Sequence, residues 1–281
     1  QYPTGQRELV RAGCVTLAKL LGDDLRDHIT LVGGVVPLLV VPESIQAHDP
    51  HPGTLDLDIG VAVSVAKASE ALLHDRLMAG GFVRDRGEAR WQYPAEAPVI
   101  WLDTIPEGGW LPEISLAFRD RDNIRLHGLD LTGTPHATEL WVIGPAAYVV
   151  LKALAFDRRR EPKDAFDLWW LLKNLPGAMN TTAVRMASLM GHPSVPRILA
   201  TLRNDFEDDG AGPRAVAAFV TGGRSDDLEA DVVGLVNQLL GLHGADGDQP
   251  AGRLEGARPG RAVNAVDPGG VEVEEVEEDV A

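Results

Sequence analysis

LVGGVVPLLVVPESIQAHDPHPGTLDLD, residues 31–58, is the stretch whose reading decides the fold. An apolar strand runs into the glycine pair Gly33-Gly34, a short apolar helix follows, and a second strand carries Asp56 and Asp58. Residues two apart in a strand point to the same face. Asp56 and Asp58 therefore project together, while Leu57 and Ile59 face the opposite way into a core. Two carboxylates on one face beside a glycine turn suit hard divalent cations and the phosphates those cations bridge. Taken alone, such a pair is more simply the solvated face of an amphipathic strand. The order of residues downstream shifts that balance.

The 281-residue chain has room for one large or two modest domains. Its 44% hydrophobic and 24% charged content is that of an ordinary soluble globular protein. The one cysteine, Cys14, excludes an internal disulfide framework and a cysteine-built zinc site. It falls on an apolar helix face and reads as a buried structural thiol, and its solitude suits a reducing cytosol. The longest apolar run, Leu31 to Val41, is broken by Pro37 and too short for a bilayer, so no membrane role is expected. QYPTGQRELV lacks a charged-then-apolar signal pattern, and a start on Gln1 rather than Met reads as truncation or processing. Residues 246–281 hold ten Asp or Glu and three Arg, a net of −7, leaving −9 of the formal −16 for the rest. The global charge therefore does not decide whether the partner is a nucleic acid.

Hydrophobic spacing predicts a helix over 5–22, a strand over 29–32, a helix over 35–41 and a loop over 42–53. A strand over 54–63 and a helix over 65–79 come next. Three short strands over 81–84, 89–93 and 99–103 follow, then polar strands near 123–126 and 138–142. After Ile143 the pattern turns helical, with helices over 145–159, 162–175, 181–190, 195–206 and 226–243. The chain thus reads as α/β, with an α/β lobe over 1–143, a helical lobe over 144–243 and a disordered acidic tail over 244–281. Trp169-Trp170 is expected to pack one ring in the helical core and rest the other against the first lobe. Trp91 and Trp101 read as sheet-face core residues.

The strand PVIWLD ends on Asp103, a third acid able to lie beside Asp56 and Asp58 in one sheet. Three clustered carboxylates repel one another unless a cation neutralises them, and Mg²⁺ or Mn²⁺ is the natural occupant. Asp103 could equally be a strand-end or loop-capping acid. Lys152 stands on an otherwise apolar helix, as either a snorkelling edge residue or a phosphate ligand. Asp164 and Asp167 are neighbours at i, i+3 in the next helix, where acids near an N-terminus also stabilise the helix dipole. Arg158 to Arg160 form either a steering patch for an anionic acceptor or a solvated basic turn.

A glycine pair after an apolar strand, T-x-D-L-D at Thr54 to Asp58, a strand-end acid at Asp103, and K-x-x-A…R-x-x-x-K-D-x-x-D-L from Lys152 to Leu168 follow one another in this order. This ordered set resembles the nucleotidyltransferase-fold toxins, specifically the AbiEii/AbiGii group of type IV abortive-infection toxin–antitoxin systems, over about residues 28–175. The resemblance implies a polymerase-β-like minimal nucleotidyltransferase lobe followed by a helical lobe. It implies that Asp56, Asp58 and Asp103 hold the metal ions and that Gly33, Gly34 and Thr54 line the nucleotide phosphates. Lys152 would contact the triphosphate, and Lys163 with Asp164 would complete the site. Many members carry an arginine four positions before the first aspartate, where this chain has Pro52. His48 or His51 nearby could supply a donor in its place, although a solvated loop histidine is the simpler reading.

The function expected from the resemblance is a cytoplasmic, Mg²⁺-dependent transfer of a nucleoside monophosphate from an NTP to an acceptor, plausibly RNA or tRNA, by a toxin held in check by an antitoxin. A small-molecule nucleotidyltransferase of the antibiotic-modifying kind would share every metal residue. A non-catalytic binding protein of the same fold would not need the acids at all. A D-x-D-x-T phosphatase is disfavoured, because Ile59 and Gly60 follow Asp58 and the strand continues.

Overall fold

The computed structural model describes residues 5–62, 67–85, 90–93 and 99–246. The chain opens with α1 (Gln6–Arg26), β1 (Ile29–Val32), a 3₁₀ turn over Gly33–Val35, α2 (Val36–Val40) and α3 (Glu43–Gln46). Next come β2 (Asp56–Val61), α4 (Lys67–Ala79), β3 (Val83–Arg84), β4 (Arg90–Tyr93) and β5 (Ile100–Pro106). A second 3₁₀ turn, Pro112–Ser115, runs into α5 (Leu116–Arg119), and β6 (Arg121–Leu129) and β7 (Pro135–Ile143) complete the strands. The remaining elements are helices: α6 (Pro145–Arg159), α7 (Pro162–Asn174), α8 (Ala178–Leu189), α9 (Val195–Asp205), α10 (Ala211–Thr221) and α11 (Asp226–Asp246).

The strands form a mixed seven-stranded sheet in the order β3-β4-β5-β2-β1-β7-β6, so the chain is α/β. β2 runs antiparallel to β1 and parallel to β5, and β1 runs parallel to β7. The period-two pattern of β2 sorts its two faces. Leu57 and Ile59 are fully buried, Leu57 beneath α1. Gly13 permits this close approach, since a Cβ there would lie 2.9 Å from Ile100 Cδ1 and 3.2 Å from Leu57 Cδ1. On the other face Gly60 meets Ile114 of the second 3₁₀ turn, and Asp56 and Asp58 look out on that side.

Several elements depart from the spacing-based expectation for local reasons. α1 does not end at residue 22 but continues to Arg26 through a kink at Gly22, whose φ of 60° and ψ of −170° are open to glycine. The carbonyls that the kink frees are taken by Arg76 of α4, which donates to the Leu20 oxygen at 3.3 Å and to the Leu21 oxygen. The loop over 42–53 contains the one-turn helix α3. The β6–β7 hairpin is far longer than the two polar strands expected near 123–126 and 138–142, because cross-strand pairing runs unbroken from Arg121–Ile143 to Leu129–Pro135. Asp130 closes that turn by accepting the amides of Thr132 and Thr134, each at 2.9 Å. α10 was not expected, its start being masked by Gly210, Gly212 and Pro213. The strand expected over 81–84 is confined to Val83–Arg84, because Gly81, at φ +89°, still belongs to the turn that ends α4. The start of the strand expected at 89, the end of the strand expected at 63, the start of the helix expected at 65 and the acidic tail beyond residue 246 lie outside the described residues. Cys14 is fully buried, and burial pushes its thiol up to about 12.

Sheet and helices are joined at residue 144 by a buried acid. Asp120, at the end of α5, accepts the Ala147 amide in the first turn of α6 at 2.7 Å and is paired with Arg185 of α8. It therefore satisfies an orphan N–H of the helix start and ties α8 to the sheet. Asp120→Ala is expected to cost about 2–4 kcal/mol, because it removes a cap and the buried one of the two carboxylates on Arg185. Asp122→Ala, whose carboxylate is 53% exposed on the same arginine, is expected to cost under about 1 kcal/mol. Urea unfolding of both variants checks the contrast, and equal costs would contradict the assignment.

Candidate active site

The sheet register brings the three acids to one face. Asp58 on β2 is directly opposite Asp103 on β5, and Asp56 stands two residues before it on the same side. Gly33 sits against them with φ +78°, and a Cβ there would fall 1.9 Å from Asp58 Oδ2. No other residue type fits that position without displacing the carboxylate. Gly34 faces the helical side: its missing Cβ would lie 3.0 Å from Lys163 Nζ and 3.5 Å from both Asp167 Oδ2 and the Thr54 Cβ. The glycine pair thus separates the carboxylate strand from a charged cluster on α6 and α7.

That cluster is centred on Asp167, which is fully buried. Its carboxylate accepts Lys152 Nζ at 2.6 Å, Lys163 Nζ at 2.9 Å and His51 Nε2 at 3.0 Å. Burial works to raise the Asp167 carboxyl, but Lys152, the His51 hydrogen bond and Lys163 overcome it and hold it far below the ordinary range. Lys152 is buried as well. Burial would lower its pKa, yet Asp167 and Asp164 together raise it, so it stays charged. Asp164 accepts Lys152 at 3.1 Å and Arg159 through two bonds at 2.6 and 2.8 Å. Its oxygens face cations, and it holds Lys152 and Arg159 in place.

His51 is a correction to the expected solvated histidine. It is 2% exposed, set edge-on to the Trp170 ring with centroids 4.9 Å apart. Gly53 N–H donates to His51 Nδ1 at 3.1 Å, so Nδ1 carries the lone pair and Nε2–H is the donor to Asp167. The ring is therefore neutral in one defined tautomer, as burial, the largest influence on it, also requires. Because Gly53 leads directly to Thr54, whose Oγ1 accepts the Asp56 amide at 3.1 Å, His51 fastens the entry of β2 to α7. Trp169 packs in the helical layer with its Nε1–H on Asp231 at 2.9 Å. His48 remains exposed, its Nδ1 2.9 Å from the Ser44 carbonyl.

A second residue absent from the expected site is Arg90 on β4. Its Nε donates to Asp103 and its Nη2 to Asp56, both at 2.9 Å, and its guanidinium lies 4.8 Å from the Trp101 ring centroid. It bridges the outer two acids, while Asp58 has no ion-pair partner among the described residues. Burial first, and then Asp103, push the Asp58 carboxyl up to about 6. The donors are all oxygen and carry excess negative charge, which fits a hard divalent cation in kind. Among the described residues, however, no three acids or histidines are gathered as a ready-made metal cage, and Arg90 occupies the place between two of them. The arginines after α6 are also engaged: Arg158 with Glu113, Arg159 with Asp164, and Arg160 with Asp157 and Asp205.

Neither known family models nor curated proteins match this chain. Among the described residues no helix is long and apolar enough to cross a membrane.

The lowered pKa values of His51 and Asp167 set the sign of a pH effect. Each contributes stability that is present above its unfolded value and lost as pH falls toward its folded one. The His51 part begins to fade below about pH 6.5 and the Asp167 part only below about pH 4. Asp58, raised to about 6, works in the opposite sense over the same range, so the His51 part is read as a difference. His51→Gln, which keeps a donor for Asp167, is expected to lose less melting temperature than the wild type between pH 8 and 5. An equal loss in the variant would show that His51 carries none of it.

Proposed function

We propose that this protein is a metal-dependent nucleotidyltransferase with a polymerase-β-like catalytic lobe, moving a nucleoside monophosphate from an NTP to an acceptor. The observation that carries this reading is the register of Asp58 opposite Asp103, with Gly33 pressed against the Asp58 carboxylate. Asp56, Asp58 and Asp103 would hold Mg²⁺ or Mn²⁺. Such an ion activates the attacking hydroxyl and neutralises the pyrophosphate leaving group.

The chain's own residues supply the rest. Gly34 leaves backbone open beside Lys163 and Thr54, where the triphosphate can approach closely. Lys152, kept charged by Asp164 and Asp167, stands beside Asp58 and offsets charge on the departing phosphates. The acceptor hydroxyl attacks the α-phosphorus, the bond to the β-phosphate oxygen breaks, and the hydroxyl proton passes to Asp103. Arg90 must withdraw for this to happen, so it acts as an internal counterion that a substrate-bound ion replaces. With the ordered motifs of residues 28–175, the reading extends to a cytoplasmic toxin that acts on RNA or tRNA and is restrained by an antitoxin. A small-molecule acceptor is the second reading, favoured by the open-mouthed, largely apolar cavity of about 330 Å³ beside Asp58.

Two measurements test this. Purified protein with Mg²⁺ is expected to incorporate a labelled NTP into total RNA, while Asp58→Asn loses at least about a hundredfold in rate, as for removal of a charge-stabilising group. NTP binding without transfer to RNA would favour the small acceptor, and no NTP binding would sink the enzyme reading. Separately, Arg90→Gln is expected to tighten Mn²⁺ binding in calorimetry by about tenfold, the worth of the two modest ion pairs it makes with Asp56 and Asp103. Weaker binding in that variant would contradict its role as a competing cation.

A further inference from the structure

Asp58 stands between two unlike compartments. On the Gly34 side lie Thr54, Lys163 and Asp167, all polar. On the Gly33 side lies the cavity of about 330 Å³, whose walls include Ile105, Leu111, Ile114, Leu151 and Leu154. Trp110 forms part of its rim and is 71% exposed. The other described tryptophans are accounted for. Trp91, Trp169 and Trp170 are buried, Trp101 lies under Arg90, and Trp141 lies under Arg121 with its Nε1–H on Asp27. Among the described residues Trp110 meets no aromatic or cationic partner, so a large apolar ring is left in water at the mouth of an apolar cavity.

The mouth is also cationic. Arg158 and Arg159 line it with side chains 45% and 61% exposed, and Lys152 lies deeper. Arg158 makes one long contact of 3.4 Å to Glu113. A guanidinium has five N–H donors in a fixed fork, so both arginines keep donors to spare. Aliphatic walls recognise a ring by its faces rather than by its edges, and an exposed tryptophan offers a stacking partner.

We propose that this cavity is the acceptor pocket, taking a planar aromatic ring joined to an anionic group, with Trp110 stacked on the ring and Arg158 and Arg159 on the anion. The word acceptor rests on the nucleotidyltransferase reading; the binding site does not. The ring sits within reach of Asp58 on one side while the NTP phosphates occupy the Gly34 side on the other, which is the arrangement a two-substrate transfer needs.

Nucleoside monophosphates serve as the free-ligand probe and a short RNA ending in the same nucleotide as the chain-end probe. Both are titrated calorimetrically into the full chain without NTP or metal. Wild type is expected to bind at least one of them. Trp110→Ala, and Ala155→Phe, which fills the cavity from α6, are each expected to weaken binding at least about tenfold, with Trp110→Phe restoring it to within about threefold. Melting temperature serves as the control for folding, and NTP affinity with Mg²⁺ is expected to be unchanged. Binding of the free nucleotide and the RNA alike places a small compound in the pocket, and binding of the RNA alone places a chain end there. No binding of either probe, or binding that ignores both substitutions, overturns the proposal. Loss of transfer in wild type with the cavity still binding would instead remove the enzyme reading and leave the site.

Discussion

Everything at the centre of this molecule is arranged around the Asp167 carboxylate and the three donors that meet on it. A buried carboxylate is costly to desolvate, and a buried lysine is no cheaper, so neither is tolerable without the other and without further hydrogen bonds. Here Lys152 comes from α6, Lys163 from the first turn of α7, and His51 from the loop ahead of β2. The requirement that this acid be fully satisfied therefore specifies how the sheet and the helices meet. Removing one donor leaves a charge in a place water does not reach, which is a stronger constraint than any single apolar contact.

The glycine pair is the sheet's half of the same constraint. It lies between the carboxylates of β2 and the cations of α7, and each glycine yields the space of a side chain to a different one. Gly33 gives way to Asp58, and Gly34 gives way to Lys163. Charge of opposite sign is thus held on the two sides of one turn, with bare backbone between. Arg90 adds a third element by balancing the outer acids from β4.

Much of this was legible in residue order. The alternation of Leu57 and Ile59 with Asp56 and Asp58 places the acids on one face without reference to any other strand. The apolar strand that carries Asp103 supplies a third acid, and the register brings it opposite Asp58. The strand does not end there as expected but runs on to Pro106, held by continued pairing with β2 as far as Val61. His51 was not legible, because a histidine among prolines and glycines has the composition of a solvated loop. Its burial depends on Phe166 and Trp170, more than a hundred residues away. Arg90 was hidden for a related reason: one arginine in a short strand has no periodicity to announce it, and only cross-strand register reveals its partners. α10 escaped because its glycines and proline mark a break, although Pro213 falls where a helix tolerates it.

Among the described residues the sheet ends at β6, a nine-residue strand paired only with β7. A long open edge is a template on which a second chain can add itself, and soluble proteins blunt it with charge. β6 reads RDNIRLHGL, with Arg121, Asp122, Asn123 and Arg125 crowded into its first half and Gly128 at φ +157° near its end. An incoming strand would have to bury those charges. The same residues that obscure this strand in the sequence thereby weigh against edge-to-edge addition of a second copy.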